Sequence, residues 1–260
     1  DVLEAKIYFG EKLVASIGSE FIENNGEDRK RQEGMNAEEI KQDCETKAFF
    51  RLAERIKKRF PRLPILLLAD SLYASKQVME LCREYKWEFL IRYKKGSIPS
   101  IAEEYEKIPE KGKTEKAEFV NEIDYEGKPV HVLRYREEKE GEITEFQWLC
   151  SIKISKENAE KMAEAGRKRW KIENEGFNRQ KNWQGDITHA CSWNDQSQKN
   201  HYLMEQISDF MKQLYEYYYL KKNGIEKKQK NISSDLLASF GRQLTEPEDI
   251  PARLNGTVLN

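Results

Sequence analysis

The sequence predicts an α/β protein, and three observations predict it. A continuously apolar segment, Ile65–Ala69, ends on an acid, Asp70, and is followed by a helical stretch and then a second strand. The middle of the chain holds β-rich, alternating segments separated at Gly127 and Gly141. Beyond Ser155 the pattern turns helical and stays so.

Each element follows from local residues. Glu4–Phe9 and Lys12–Ile22 read as two strands around a turn at Gly10-Glu11, and 24–41, rich in Gly, Asn and charge, reads as a loop. Thr46–Phe60 reads as an amphipathic helix with Ala48, Phe49, Leu52, Ala53, Ile56 and Phe60 on one stripe and Asp43 as its N-cap. Pro61 and Pro64 end it. Ile65–Ala69 is the kind of strand buried on both sheet faces. A helix over Ser75–Tyr85 and a strand over Glu88–Tyr93 come next. Strand, helix, strand, with an acid closing the first strand, is the arrangement in which ligands gather at strand ends. Phe119–Tyr125, Pro129–Arg136 and Glu145–Ile154 form an antiparallel β insertion. Lys156–Trp183 is one long helix or a broken pair, and Ser197–Leu220 is another, with apolar positions at Leu203, Ile207, Phe210, Met211 and Leu214. Residues 221–260 are basic, then polar with Pro247 and Pro251, and read as a loosely packed tail.

Composition narrows the class. The chain has 260 residues, 38% hydrophobic and 35% charged, with a mean hydropathy of −0.87. Its 11% aromatic content argues against disorder. The longest apolar run, near Leu63–Ala69, falls far short of the roughly 20 residues that span a bilayer, so membrane anchoring is excluded. No apolar signal core opens the chain, which reads as beginning partway through a domain. Cys44, Cys82, Cys150 and Cys191 are widely spaced and the chain has three His, so neither a zinc site nor a disulfide framework is expected, and a cytoplasmic setting fits.

The net charge of −1 conceals segregation. Residues 97–147 carry fourteen acids against eight bases, whereas 161–183 carry seven bases against three acids. Residues 51–62 and 221–230 add further basic stripes. Such stripes bind a polyanion locally or are simply solvated faces.

Few residues carry chemistry. Asp70 is either an N-cap for the following helix or a functional carboxylate at a strand end. Arg169 and Glu173 are four apart, on one helix face, as an ordinary ion pair or as part of a site. The surrounding string runs Gly166, Arg167, Lys168, Arg169, Trp170, Lys171, Ile172, Glu173, then Phe177, Gln180 and Lys181.

That string resembles the third catalytic block of the DDE insertion-sequence transposases, in the subgroup with a Tyr-x2-Arg-x3-Glu-x6-Lys signature. Arg169 and Glu173 match at the required spacing, with Trp170, Ile172 and Phe177 as the usual apolar flanks. Gly166 stands at the Tyr position, and Gln180 at the Lys position with Lys181 one step late. A one-residue bulge near Gly176 brings Lys181 into place; an unbroken helix leaves the place to Gln180. The strand Leu66–Ala69 with Asp70, Ser71, Leu72, Tyr73 and Ala74 resembles the family's second block, and 102 residues separate Asp70 from Glu173.

The resemblance, over about residues 1–220, implies an RNase H-like mixed sheet flanked by helices, with the β insertion between the second Asp and the catalytic Glu. It divides the chain into a core at 1–96 lacking its first strand, the insertion at 97–150, the helical end of the core at 151–220 and the tail at 221–260. It implies transposase activity: metal-dependent phosphodiester hydrolysis and strand transfer at transposon ends. Asp70 and Glu173 would be the catalytic, metal-binding residues for two Mg²⁺ ions, with Mn²⁺ as substitute. Arg167, Lys168, Arg169, Gln180 and Lys181 would contact DNA phosphates. The partners implied are transposon-end and target DNA, with a homodimer in the synaptic complex. The first catalytic Asp would precede Asp1, so the 260 residues alone are expected not to cleave DNA. Two other functions share these acids: another RNase H-like two-metal nuclease, and a truncated remnant that binds DNA without cutting. Trp170, Trp183 and Trp193 flank the site, at least two of them suited to core packing rather than stacking on bases. Glu20 and Glu23 lie near the same sheet edge as secondary candidates for metal.

Overall fold

The structure, a computed structural model, describes residues 1–9, 13–22, 37–94, 96–139, 141–184, 187 and 191–242. The predicted turn at Gly10-Glu11, Glu23, and residues 243–260 of the predicted tail lie outside the described residues. The chain divides into two compact units, 1–7 with 16–174 and 8–15 with 175–260.

Strands β1 (Val2–Phe9) and β2 (Leu13–Phe21) pair in a two-stranded sheet. Helix α1 (Ala37–Arg59) begins nine residues before the predicted start, so Asp43 lies inside it rather than capping it, and 37–41 are helical rather than loop. The remaining strands of the first unit form one six-stranded mixed sheet. In chain order these are β3 (Leu66–Ala69), β4 (Glu88–Arg92), β5 (Gly112–Lys113), β6 (Ala117–Tyr125), β7 (Lys128–Lys139) and β8 (Glu142–Cys150). Their order across the sheet is β3-β4-β8-β7-β6-β5. β3 runs parallel to β4, with Leu68 opposite Leu90, and β4 runs antiparallel to β8, with Arg92 opposite Trp148. The predicted insertion is therefore continuous with the core sheet, its long strands extending the hydrogen-bond ladder that β4 begins.

Two predicted features change. β3 lies at the edge of this sheet and Leu66 is 38% exposed, so the strand is not buried on both faces. Between β4 and β5 the chain first makes a helix, α3 (Pro99–Lys107), with Pro99 in its opening turn, where no intrahelical N–H is lost. Helix α2 (Lys76–Tyr85) lies between β3 and β4; the Ser75 hydroxyl accepts from Val78 N at its start, and Lys86 closes it in the left-handed region at φ 58°.

Alternation along the strands sends side chains to two apolar layers. Phe89 and Ile91 of β4 join Val130, Val132 and Leu149 under α1, α2 and α3. Leu90 points the other way, with Leu133, Trp148 and Cys150, and is covered by α4 (Ala159–Arg167) through Ala159, Met162 and Ala163. A sheet covered by helices on both faces is the α/β class predicted, compatible with the RNase H-like arrangement.

Past α4 the predicted long helix is broken. The chain turns at Lys168–Arg169, resumes, and passes through two π-helical turns, Ile172–Phe177 and Gln180–Gln184. In the second unit, α5 (Asp195–Leu214) is capped by Asn194, whose Oδ1 accepts from Ser197 N at 3.0 Å, and continues as a third π turn, Tyr215–Leu220. Part of the predicted tail is helical, α6 (Gln229–Arg242), with Ile232 buried. The apolar positions predicted on α5 do not form a core: Leu203, Ile207, Phe210 and Met211 are exposed. The face it buries carries Gln206, Asp209, Lys212 and Gln213.

Candidate active site

β3 delivers Asp70 to its carboxyl end, where a 3-10 turn, Ser71–Tyr73, begins. Asp70 Oδ1 accepts from Leu72 N at 2.9 Å, so the carboxylate is oriented by the turn it caps. Among the described residues no hydrogen bond reaches its Oδ2, and Asp70 lines a cleft of about 530 Å³. The capping and functional readings of this residue are compatible, since one oxygen serves the turn and the cleft remains open to the carboxylate.

The same cleft is lined by Arg92 and Lys94 from the end of β4, Trp148 from β8, and Arg167 and Arg169 from the end of α4 and the turn after it. Arg169 Nη1 donates to Glu173 Oε1 at 2.7 Å, the four-residue pair expected from the sequence. Arg167 Nη1 donates to Glu137 Oε2 of β7 and stacks over Phe146, 4.3 Å from its centroid. Lys168 is exposed. The predicted residues Asp70, Arg167 and Arg169 thus meet at one cleft, which Trp170 also lines.

Gly166, at the signature's Tyr position, has a steric reason. A Cβ there would lie 2.5 Å from Trp148 Cε2, inside any real contact, because α4 packs its backbone onto the indole. The aromatic ring at this point of the cleft comes from β8 instead of from the helix. Downstream, Gln180 is fully buried and its Nε2 donates to Gln206 Oε1 at 2.8 Å, while Lys181 is exposed. The π turn at Ile172–Phe177 contains Gly176 and takes one residue more than an α-turn, the offset by which Lys181 departs from the signature. Of the two candidates, Lys181 has the side chain free of the interior.

Other expectations change. Trp170 is 50% and Trp193 fully exposed, so these two are not core residues; the Trp183 side chain lies outside the described residues. Glu20 accepts from Arg51 Nε and forms an ion pair with Arg55 Nη2, each at 2.5 Å, which ties β2 to α1 and occupies the carboxylate. The sequence reading missed Arg92. Its signal was a strand closing on Arg92, Tyr93 and Lys94, but only the β4–β8 register sets the guanidinium over Phe146 (4.6 Å) and Trp148 (5.5 Å). Burial, then Arg169 and Arg167, holds its pKa below the usual guanidinium value.

A profile of the transposase DDE domain matches residues 42–204, a span that opens in α1 and contains Asp70, Arg92, Arg169, Glu173 and Lys181. The chain belongs to the transposase DDE domain family. No curated protein and no solved structure matches it. Family membership gives this DDE domain the general activity of DNA transposition and nuclease chemistry, with DNA as substrate and divalent metal as the family's usual requirement. Asp70 and Glu173 are hard oxygen donors of the type that suits such ions. Among the described residues, however, no three or more His, Cys, Asp or Glu side chains gather in one place, and Asp70 is the acid lining the cleft. No helix among the described residues is long and apolar enough to cross a membrane.

Proposed function

We propose that this DDE domain hydrolyses a phosphodiester at a transposon end and transfers the freed 3′ strand to target DNA, working as a homodimer in a synaptic complex. One observation carries the reading. Asp70, at the carboxyl end of a parallel strand, opens on the same cleft as Arg167 and Arg169, so a carboxylate and phosphate-seeking cations meet at one place. In this reading Asp70 and Glu173 are the acids directed toward Mg²⁺, with Mn²⁺ as substitute. The Leu72 amide orients Asp70, and Arg169 holds Glu173 in place. Arg167, Lys168, Arg169 and Lys181 hold the strand's phosphates without reading its bases. Gln180, buried and bonded to Gln206, supports the chain there rather than touching DNA.

Two measurements test this. Tb³⁺ luminescence excited through tryptophan, displaced by Mn²⁺, should show affinity falling about tenfold or more in Asp70→Asn and in Glu173→Gln. Metal-dependent nicking of DNA by any length of the chain that shows it should vanish in Asp70→Ala; nicking that persists would overturn the assignment of Asp70.

A further inference from the structure

We propose that Arg92 and Lys94, which stand outside the signature block, form with Arg167 a seat in the cleft for a backbone phosphate of a DNA strand beside Asp70. The inference deepens the strand-transfer reading and rests on it.

Arg92 is the centre of the argument. The register of β4 against β8 puts it opposite Trp148, and its guanidinium lies over the stacked rings of Phe146 and Trp148, whose planes differ by 12°. Nη2 donates to the Glu145 carbonyl at 3.3 Å. Nη1 is buried without a hydrogen-bond partner among the described residues. A buried, charged donor with nothing to bind is costly, and it calls for a partner, whether ordered water or an anion. The neighbours deepen the deficit. Arg167 shares the Phe146 ring with Arg92 and has Glu137, and Arg169 has Glu173, whereas no carboxylate pairs with Arg92 among the described residues. Lys94, on the same strand end, brings a further cation to the rim. With Arg167 and Arg169 paired, Arg92 and Lys94 face Asp70 as the acid lining the cleft, and this excess of cations favours an anion that accepts several hydrogen bonds at once. A phosphodiester does this, with two free oxygens and a single charge. The rings hold Arg92 in its orientation, so little side-chain freedom is lost on binding.

The test compares the wild-type chain with Arg92→Gln and Lys94→Gln. Each folded variant is verified by circular dichroism and by an unchanged melting transition. Lys94 is exposed, so its variant stays informative should Arg92→Gln misfold. Fluorescence anisotropy with a labelled duplex carrying a single-stranded 3′ extension should show Arg92→Gln binding about tenfold and Lys94→Gln about threefold more weakly. Each variant should also lower the slope of log affinity against log salt by about one. A methylphosphonate at one phosphate of the extension should weaken the wild type and leave Arg92→Gln unaffected. Folded variants that bind as the wild type does, with the same salt slope, would overturn the seat and leave the DNA reading standing. A wild-type chain that binds no DNA would overturn the DNA reading instead. Pyrophosphate then decides the seat alone: raising the melting temperature of the wild type and not of Arg92→Gln supports it, and equal behaviour overturns it.

Discussion

The two units solve the same problem with opposite materials. In the first, the interior is apolar and layered by strand alternation: Phe89, Ile91, Val130, Leu133 and Leu149 are fully buried. In the second, α5 turns Gln206, Asp209, Lys212 and Gln213 inward and leaves Leu203, Ile207 and Met211 exposed. There Gln213 replaces a peptide group, accepting from Val14 N at 2.8 Å and donating to Val14 O at 2.9 Å, and also donating to Asp209 at 2.9 Å. Lys212 donates to Ser233 at 2.5 Å. Arg179 reaches Asp209 and Glu216 only at 3.6 and 3.8 Å. The first unit is positioned by shape, which tolerates modest change in volume; the second by hydrogen bonds, each of which leaves an orphan if its partner is removed. Side chains that must be held rigidly therefore sit most securely on the first unit, where Asp70, Arg92 and Arg169 are found.

The contrast can be broken experimentally, most severely at the contact of α4 with β8. Trp148→Ala should cost about 3–5 kcal/mol in urea unfolding, the usual range for emptying a large aromatic from a core. Gly166→Tyr, which restores the signature residue, should cost about 3 kcal/mol through overlap with the same indole. The double variant should be more stable than the sum of the two losses, and strict additivity would deny that the two positions share one space. In the second unit, Gln213→Leu preserves volume yet strands both polar atoms of Val14, and should cost about 1–3 kcal/mol. A neutral result there would mean that shape governs both units.

A smaller effect sharpens the picture through pH. His131, buried on β7, accepts from Glu122 N at 3.1 Å through Nδ1, at a bulge where Glu122 has a φ of 62°. Burial, the largest influence, pushes its pKa below 6.5. Above pH 6.5 neither folded nor unfolded chain carries this proton; below it the unfolded chain takes the proton first, so stability falls as pH drops through 6.5. Denaturation midpoints between pH 8 and pH 5 should show this decline, and His131→Gln should flatten it. The smallest effect belongs to the exposed face of α5: Ile207→Lys should change stability by no more than about 0.5 kcal/mol, as at other surface positions.

How much of this was legible depended on whether the signal was local. The α1 stripe, the β3–α2–β4 order and the three long strands of the middle were readable from periodicity and turns. The first turns of α1 were not, because half of 37–44 is charged and the segment carries no apolar stripe. α3 was missed although Pro99 and the spacing of Ile98, Ile101, Ala102 and Tyr105 advertise it. On α5 the period was right and the burial wrong, since a sequence reveals a face without naming what covers it. The site divides the same way. Asp70, Arg169 and Glu173 sit in short strings that can be read in one dimension. Arg92 acquires its role from residues more than fifty positions away, on a strand whose register no local pattern specifies.

The π turn at Ile172–Phe177 bears on how this chain relates to its kin through insertions and deletions. In a regular α-helix one added residue swings everything after it by about 100°, which would exchange the roles of Gln180 and Lys181. A widened turn absorbs the added residue where it enters and leaves the later faces undisturbed. Counted from Glu173, six intervening residues lead to Gln180 and seven lead to Lys181. A one-residue change of length at Gly176 is thus a change that this widened turn can take up without rotating the faces that follow it.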